Sequence, residues 1–187
     1  MSADSDAALA RRAAGGDRDA FNCIIRRYQE KLYRFIRRYV GDADEAYDLL
    51  QETFVSAWQA MGRFDSSRPV ELWMRRIALN KCRDWGRRRA VRRFFYGAAS
   101  LDVVPEPPDA ASGGEEDQLA LTRLDRAIAA LPSQLKEPLL LTAFEGLSHE
   151  AAGRALGISA KAVETRVHRA RKRLADILGG DAAAEDG

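Results

Sequence analysis

Residues 148–174 constrain the fold of this chain more than any other segment, because they combine a short capped helix, a glycine turn and a long amphipathic helix. The Ser148 side chain can cap the first helix, and Gly157 can adopt the left-handed conformation that ends it. Ser159 is placed to cap a second helix directly after that turn. The pattern predicts a helix-turn-helix, a unit whose second helix typically enters the major groove of DNA.

The second helix of this unit is apolar along one side and mostly basic or polar along the other. The predicted buried stripe follows i, i+4, i+7 and i+11 spacing and consists of Val163, Val167, Ala170 and Leu174. Residues 161–173 hold six Lys or Arg and one acid, an imbalance that suits phosphates better than salt bridges within the helix. A solvated face on an ordinary helical bundle is the alternative. The candidate DNA-binding residues are Lys161, Glu164, Thr165, Arg166, His168, Arg169 and Lys172.

Composition excludes several classes of protein. The 187 residues suffice for one or two small domains, and a net charge of only +2 shows that the basic character is local. Cys23 and Cys82 lie in amphipathic patterns and are expected to behave as small core hydrophobes. Two histidines, without a metal-spaced carboxylate cluster or a nucleophile motif, predict no enzyme activity, no metal site and no cofactor. Because no signal peptide or 18-residue apolar run occurs, we expect a cytoplasmic protein without membrane insertion.

The periodicity predicts an all-α fold of two small helical domains joined by a flexible acidic linker. Residues 1–96 are expected to form the first domain, with helices over about 5–14, 17–41, 42–61 and 69–93. Residues 117–180 are expected to form the second, with helices over about 117–130, 133–145, 148–156 and 160–178, and residues 181–187 a disordered tail.

The predicted linker, residues 97–116, is rich in Gly, Pro and acids. Between Arg93 and Arg123 there is no Lys or Arg, and six acids occur. Such a tether can mimic a nucleic-acid strand, or it can simply repel itself and stay extended. The sequence leaves both possibilities open.

The fourth predicted helix carries a second basic stripe. Residues 75–93 hold nine Lys or Arg and a single acid, Asp84. Guanidinium groups fit phosphates bidentately, and an amide offers a donor and an acceptor to a base edge. A solvated basic face is at least as good an interpretation of this helix alone. The candidate DNA contacts, spaced i, i+4, i+7 and i+11, are Arg76, Asn80, Arg83 and Arg87.

The third predicted helix carries the opposite charge. Tyr47 is expected on its buried side, together with Leu50 and Phe54. Its exposed face is expected to present Glu45, Asp48, Leu49, Glu52 and Ser56. An exposed leucine among acids suggests a contact with another protein.

Together these segments resemble an extracytoplasmic-function sigma factor, the minimal two-domain class of bacterial sigma factors. The resemblance covers about residues 8–96 and 118–178. It is carried by Asp48–Trp58 (DLLQETFVSAW), by Trp73–Asn80 (WMRRIALN), and by Leu131-Pro132 with 145–148 and 163–171.

The resemblance implies a role for each segment. Asp48, Leu49, Gln51 and Glu52 would dock on the clamp coiled coil of core RNA polymerase. The fourth helix and the loop 63–69 would open the −10 element of promoter DNA and hold a flipped base. The C-terminal domain would read the −35 element, and an anti-sigma factor is an expected partner.

Two departures and two alternatives accompany the resemblance. Gly153 stands where the family usually has a small helix former, and the pair of exposed aromatic residues that primary sigma factors use for melting is not obvious. A stand-alone helix-turn-helix regulator would not need the acidic face or the basic fourth helix. A sigma-like decoy that binds only an anti-sigma factor would not need the basic recognition helix.

Overall fold

The computed structural model describes residues 5–96 and 115–184, and within these ranges all regular secondary structure is helical. The prediction of an all-α fold is confirmed. The described residues form two compact units. The first contains residues 5–36 and 44–96, and the second contains residues 37–43 and 115–184. The greater part of the predicted linker, residues 97–114, lies outside the described residues.

Four helices and one short 3₁₀ turn form the N-terminal part of the chain. They are α1 (Asp6–Ala14), α2 (Arg18–Val40), α3 (Ala43–Ala60), the 3₁₀ turn Met61–Arg63 and α4 (Val70–Tyr96). Side-chain caps fix two of the starts, since Ser5 accepts from the Ala8 N–H and Asp17 accepts from the Ala20 N–H at 3.0 Å. The sequence placed the start of each helix within one residue, because capping is a local property of the chain.

The core of the first unit comes from one face each of α1, α2, α3 and α4. Its largest fully buried side chains include Ile24, Phe35, Leu49 and Met74. Each such side chain contributes about 1.5–3 kcal/mol through removal of apolar surface from water. Cys82 is also buried, as predicted for a small hydrophobe. This packing fixes which faces of α3 and α4 remain available to partners.

The second unit contains a helix that changes type. Its elements are α5 (Glu115–Ala130), α6 (Ser133–Leu139), a π-helical turn (Leu140–Phe144), α7 (His149–Leu156) and α8 (Ala160–Ala184). The sequence predicted one uninterrupted helix over 133–145. Pro138 cannot donate a backbone hydrogen bond, and the Thr142 hydroxyl donates to the Pro138 carbonyl at 2.8 Å. The chain then closes a wider turn, in which the Glu145 N–H donates to the Leu140 carbonyl.

The C-terminal helix is longer than the sequence predicted. Its end was expected near residue 178 and a disordered tail from 181, whereas α8 continues to Ala184. Three consecutive alanines, the residue with the highest helix propensity, occupy 182–184 and offset the two glycines that precede them.

Two charged side chains are buried in the second unit, and each has hydrogen-bond partners. The Lys136 ammonium donates to the carbonyls of Ala129 at 2.6 Å and Tyr39 at 2.8 Å. The Tyr39 hydroxyl in turn donates to Glu137 at 3.1 Å. These bonds offset the cost of removing a cation and an anion from water.

The turn between α7 and α8 depends on Gly153. Gly157 has φ +71° and ends α7, and the Ile158 N–H then donates to the Gly153 carbonyl at 3.0 Å. A Cβ added to Gly153 would lie 2.6 Å from the Ile158 carbonyl oxygen, which is closer than real contacts allow. The backbone of the turn itself therefore leaves no room for a side chain at this position.

We therefore expect Gly153→Ala to destabilise the second unit although alanine is the better helix former. Overpacking costs about 1–3 kcal/mol, whereas the gain in helix propensity is about 1 kcal/mol. Gly179→Ala is the matched control, because its Cβ would meet nothing within 4 Å in the same unit. Urea unfolding followed by circular dichroism measures both variants. A Gly153→Ala protein as stable as Gly179→Ala would contradict the contact.

Candidate nucleic-acid interface and protein-binding face

The recognition helix α8 has the two faces that the sequence predicted. Val163, Val167, Ala170 and Leu174 are buried. The side chains opposite them are exposed: Lys161, Thr165, His168, Arg169 and Lys172. Ser148 accepts from the Ala151 N–H and Ser159 from the Ala162 N–H, so both predicted caps are confirmed.

The N-terminal turn of α8 is organised by an ion pair on its exposed face. The Lys161 ammonium lies 2.9 Å from a Glu164 carboxylate oxygen, and the Thr165 hydroxyl donates to the Lys161 carbonyl. The hydrogen bond from Lys161 lowers the pKa of the Glu164 carboxyl. Glu164 is therefore an anionic acceptor at neutral pH, the group that can accept a hydrogen bond from a cytosine amine.

The predicted DNA contacts on α8 differ in how far their side chains are exposed. Arg166 is half-buried at the border of the apolar stripe, whereas Arg171 and Arg173 are exposed. Neither of the latter two was singled out from the sequence. At about 100° per residue both flank the apolar stripe about as closely as Arg166 does, so helix phase alone did not distinguish them.

The basic stripe on α4 is also present, but its four members differ. Arg76 and Asn80 are exposed, and within residues 5–96 and 115–184 neither side chain has a hydrogen-bond or ion-pair partner. Arg83 is half-buried. Arg87 is exposed and forms an ion pair with Asp84. Arg76 and Asn80 are therefore the members whose polar groups are most available to a ligand.

One arginine of α4 has a structural position instead. Arg75 is buried and donates to Glu71 at 3.0 Å, one turn earlier on the same helix. Lys31 of α2 lies 3.4 Å from the same carboxylate. The high count of arginines along α4 thus includes a member that faces the interior.

An aromatic pair stands where α4 begins. Phe64, in the loop before the helix, lies 4.6 Å from Trp73 between ring centroids, in a tilted arrangement. Trp73 is half-buried, and the ring that covers it comes from the loop. Within the loop, Asp65 accepts two hydrogen bonds from Ser67, which lower the pKa of its carboxyl.

Trp85 is buried. Its indole N–H donates to Glu45 of α3 at 2.8 Å. Glu45 was expected on the exposed acidic face, but it is half-buried and accepts this hydrogen bond from the buried indole. Phe95 of the aromatic cluster 94–96 is exposed, and the side chains of the other two lie outside the described residues.

The prediction for α3 was wrong about which apolar residue is exposed. Leu49 is only 2% exposed, and its carbonyl accepts from the Thr53 hydroxyl at 2.7 Å. Tyr47, predicted to be buried, is 58% exposed, and Val55 is 56% exposed. The buried face runs through Ala46, Leu49, Leu50, Thr53, Phe54 and Ala57. It keeps Leu50 and Phe54 but is rotated from the predicted face by about 50°, or roughly half a residue step.

The exposed side of α3 is therefore a continuous stripe in which two apolar side chains accompany acids and an amide. We call it the α3 face and define it as Tyr47, Asp48, Gln51, Glu52 and Val55. Glu52 lies 3.4 Å from Lys81 of α4, an exposed pair worth little to stability. Asp48 and Glu52 are exposed as predicted, and Gln51 is exposed as well. An apolar pair on an acidic surface is typical of a protein-binding site.

Across the described residues, none of the helices combines the length and the apolar composition that a membrane span requires.

Two family models match the chain. Sigma-70 region 2 matches residues 24–92, and Sigma-70, region 4 matches residues 121–174. The first match contains α3, the loop after it and α4 as far as residue 92, and the second contains the helix-turn-helix.

Curated relatives match along almost the whole length. RNA polymerase sigma factor NccH of Alcaligenes xylosoxydans xylosoxydans is 40% identical over 92% of this chain and 94% of its own. RNA polymerase sigma factor CnrH of Cupriavidus metallidurans is 38% identical over 95% and 96%. The ECF RNA polymerase sigma factor SigM of Mycobacterium tuberculosis is 31% identical over 94% and 85%.

Solved structures share the fold. CnrH in complex with the cytosolic domain of CnrY superposes with a TM-score of 0.69 and 32% identity, covering 95% of this chain and 99% of that one. The sigma factor RpoE of Bartonella quintana, in complex with the anti-sigma factor NepR, has a TM-score of 0.69, 23% identity and coverage of 85% and 96%. This second likeness concerns the fold alone.

Proposed function

The chain belongs to the extracytoplasmic-function class of sigma factors, which direct transcription initiation by RNA polymerase, and from that membership we propose a division of labour among its exposed faces. The α3 face binds core polymerase. The exposed stripe of α4 with the loop before it opens the −10 element, and α8 reads the −35 element. No step in this role requires catalysis by the chain itself.

The α3 face suits a partner of opposite charge with apolar side chains. Asp48 and Glu52 lie one helical turn apart, and Tyr47 and Val55 occupy the same exposed stripe. Acids steer a basic partner into contact, while the tyrosine and valine supply apolar surface that is buried on binding. Because this segment resembles the family's polymerase-binding segment, we infer that its partner is the clamp coiled coil of core RNA polymerase.

The stripe on α4 suits melted DNA. Arg76 supplies a phosphate contact, and Asn80 offers a donor and an acceptor to one base edge. The half-buried pair Phe64 and Trp73 presents aromatic surface at the start of the same helix. Aromatic rings stack with unpaired bases, so loop and helix together combine base and backbone contacts.

The exposed face of α8 suits duplex DNA in the major groove. The N-terminal residues of a recognition helix meet base edges, and the residues farther along meet phosphates. Lys161, Glu164 and Thr165 belong to the first group. Arg169 and Lys172 belong to the second.

This division predicts two different outcomes on one helix. Lys172→Ala should weaken binding to all −35 sequences alike and reduce the slope of log affinity against log salt by about one unit. Glu164→Ala should leave that slope nearly unchanged and alter which −35 sequence is preferred. Binding of the holoenzyme to a randomised −35 library at several salt concentrations measures both. Unchanged preference in Glu164→Ala would remove this residue from the base contacts.

The single observation that carries the proposal is the presence of two oppositely charged exposed stripes in one unit, the acidic α3 face and the basic stripe on α4. A stand-alone regulator needs only a DNA-binding surface. A decoy that binds only an anti-sigma factor needs neither Arg76 and Asn80 on α4 nor an intact basic α8.

Competition for core polymerase tests this proposal. A fluorescently labelled chain should bind core polymerase, and an unlabelled primary sigma factor should displace it, because both would occupy one surface. Two results would support a stand-alone regulator instead. One is that both proteins bind core polymerase at the same time, and the other is that the chain binds promoter DNA equally well with and without polymerase.

We further propose that an anti-sigma factor controls the chain, since the related CnrH was solved with the cytosolic domain of CnrY. A protein that covers Tyr47 and Val55 would block access to polymerase. Because polymerase and promoter are its proposed partners, we place the chain in the cytoplasm.

A further inference from the structure

The amphipathic pattern of α4 reverses at Gly86. Before this glycine the buried row of the helix is apolar and ends in Trp85, and the outward row carries the polar groups of the basic stripe. Beyond it, at about 100° per residue, the buried row continues with Arg89 while the outward row continues with Val91. All side chains from 87 to 92 are exposed, so these last turns do not belong to the core of the first unit.

The end of α4 is both basic and apolar on its surface. We call it distal α4 and define it as Arg88, Val91, Arg92 and Phe95. Val91 is 54% exposed and Phe95 is 73% exposed. Among the residues that the structure describes, neither Arg88 nor Arg92 has a hydrogen-bond or ion-pair partner. Because residues 85–101 contain no acid, the charge that suits these guanidiniums must come from elsewhere.

The α3 face has the complementary charges at the same spacing. Its exposed acids Asp48 and Glu52 lie one helical turn apart, as do Arg88 and Arg92 on distal α4. If the two helices lie antiparallel, Arg92 stands opposite Asp48 and Arg88 opposite Glu52. Both pairs can then form at once, without a change in the backbone of either helix.

The apolar side chains match in the same arrangement. At about 100° per residue, the apolar edge precedes the charged edge in the same rotational sense on both helices, which is the condition for like edges to meet in an antiparallel pair. The register set by the charges places Tyr47, which is 58% exposed, level with the space between Val91 and Phe95. One contact would therefore cover three of the exposed large apolar side chains of the first unit.

These two surfaces of one molecule cannot reach each other. Glu45 accepts from the indole of Trp85, and Glu52 lies 3.4 Å from Lys81, so α3 and α4 run antiparallel at this point. From that level α3 extends only about 3 Å to its start at Ala43, whereas distal α4 lies about 5–15 Å farther along. An α3 face that distal α4 can contact belongs to a second copy of the chain.

We propose that the chain self-associates, with distal α4 of one copy bound to the α3 face of another. The contact spans only about two helical turns and is rich in charge, so it is weak and sensitive to salt. It would cover the face proposed to bind core polymerase and so hold concentrated chain in a form that polymerase cannot bind. That consequence rests on the proposed function, whereas the association itself does not.

Sedimentation velocity of the full chain tests the association without polymerase or DNA. The average mass of wild type should rise as its concentration increases from about 1 µM to about 1 mM, and added salt should reverse the rise. Asp48→Lys with Glu52→Lys should associate at least about tenfold more weakly, because the α3 face then repels the arginines. Arg88→Glu with Arg92→Glu should lose as much, because distal α4 then repels the acids.

An equimolar mixture of these two double variants is the decisive sample. The lysines of one variant face the glutamates of the other, so the mixture should associate about as strongly as wild type although neither variant does so alone. Restored association also shows that both variants are folded. Arg18→Glu with Arg26→Glu makes the same change in charge on exposed positions of α2 and should associate like wild type.

Three results would overturn the contact: wild type that stays monomeric over this range, a mixture that stays monomeric, or a double variant that associates as wild type does. A different result would separate the contact from its consequence. If wild type associates and core polymerase binds the associated chain as well as the monomer, the contact stands and the proposed role of the α3 face is wrong.

Discussion

Core polymerase should fail to co-purify with a chain in which Asp48→Lys and Glu52→Lys are combined. Both carboxylates are exposed on the α3 face, so their replacement leaves the core of the first unit intact. The change places like charges against a basic partner, which costs several kcal/mol, and each 1.4 kcal/mol weakens binding tenfold. We therefore expect a loss of affinity of about 100-fold or more. Pull-down and competition against wild type for limiting core polymerase measure it.

A second double variant controls for net charge. Asp19→Lys with Glu30→Lys makes the same change in charge on exposed positions of α2 and should bind core polymerase like wild type. Helix content by circular dichroism should match wild type in both proteins. If the α3 variant competes for core as well as wild type does, polymerase binds a different surface.

Promoter opening should depend on Asn80. Its amide is exposed and without a partner among the residues that the structure describes, and it lies between Arg76 and the half-buried Arg83 along the α4 stripe. A good contact of this kind is worth about 1–3 kcal/mol of discrimination between bases. Asn80→Ala should therefore reduce open complexes on a duplex promoter and relax the preference at one −10 position. Permanganate footprinting over a set of −10 variants measures both effects.

The control for Asn80→Ala is binding through the two other proposed surfaces of the chain. Binding of Asn80→Ala to core polymerase and to an isolated −35 duplex should be unchanged, since those surfaces are the α3 face and α8. Equal bubble reactivity in wild type and variant, together with an unchanged −10 preference, would make Asn80 an ordinary solvated amide.

Local rules were enough to predict the helix-turn-helix. The caps at Ser148 and Ser159, the left-handed Gly157 and the apolar stripe of α8 each depend on residues a few positions apart. The same holds for the exposed position of Asn80, because one broad row of apolar residues fixes the phase of α4. Where a helix has a single apolar face, the sequence determines which side chains reach a partner.

The phase of α3 could not be predicted in this way, because apolar residues occur on every side of it. Tyr47, Leu49, Leu50, Phe54 and Val55 cannot all be buried, and packing against neighbouring helices decides among them. Non-local contacts decided two further cases. Glu45 meets the indole of Trp85, 40 positions away in the sequence, and Trp73 is paired with Phe64 from a loop.

Run-off transcription with core polymerase on a promoter library randomised at the −35 and −10 elements tests the central claim most directly. We predict that the chain converts core polymerase into an enzyme that starts at one fixed distance from a selected pair of elements. Glu164→Ala should change the selected −35 sequence, and Asn80→Ala the selected −10 sequence. Transcription no greater than that of core polymerase alone, under conditions in which the chain still binds the same DNA by itself, would contradict the account.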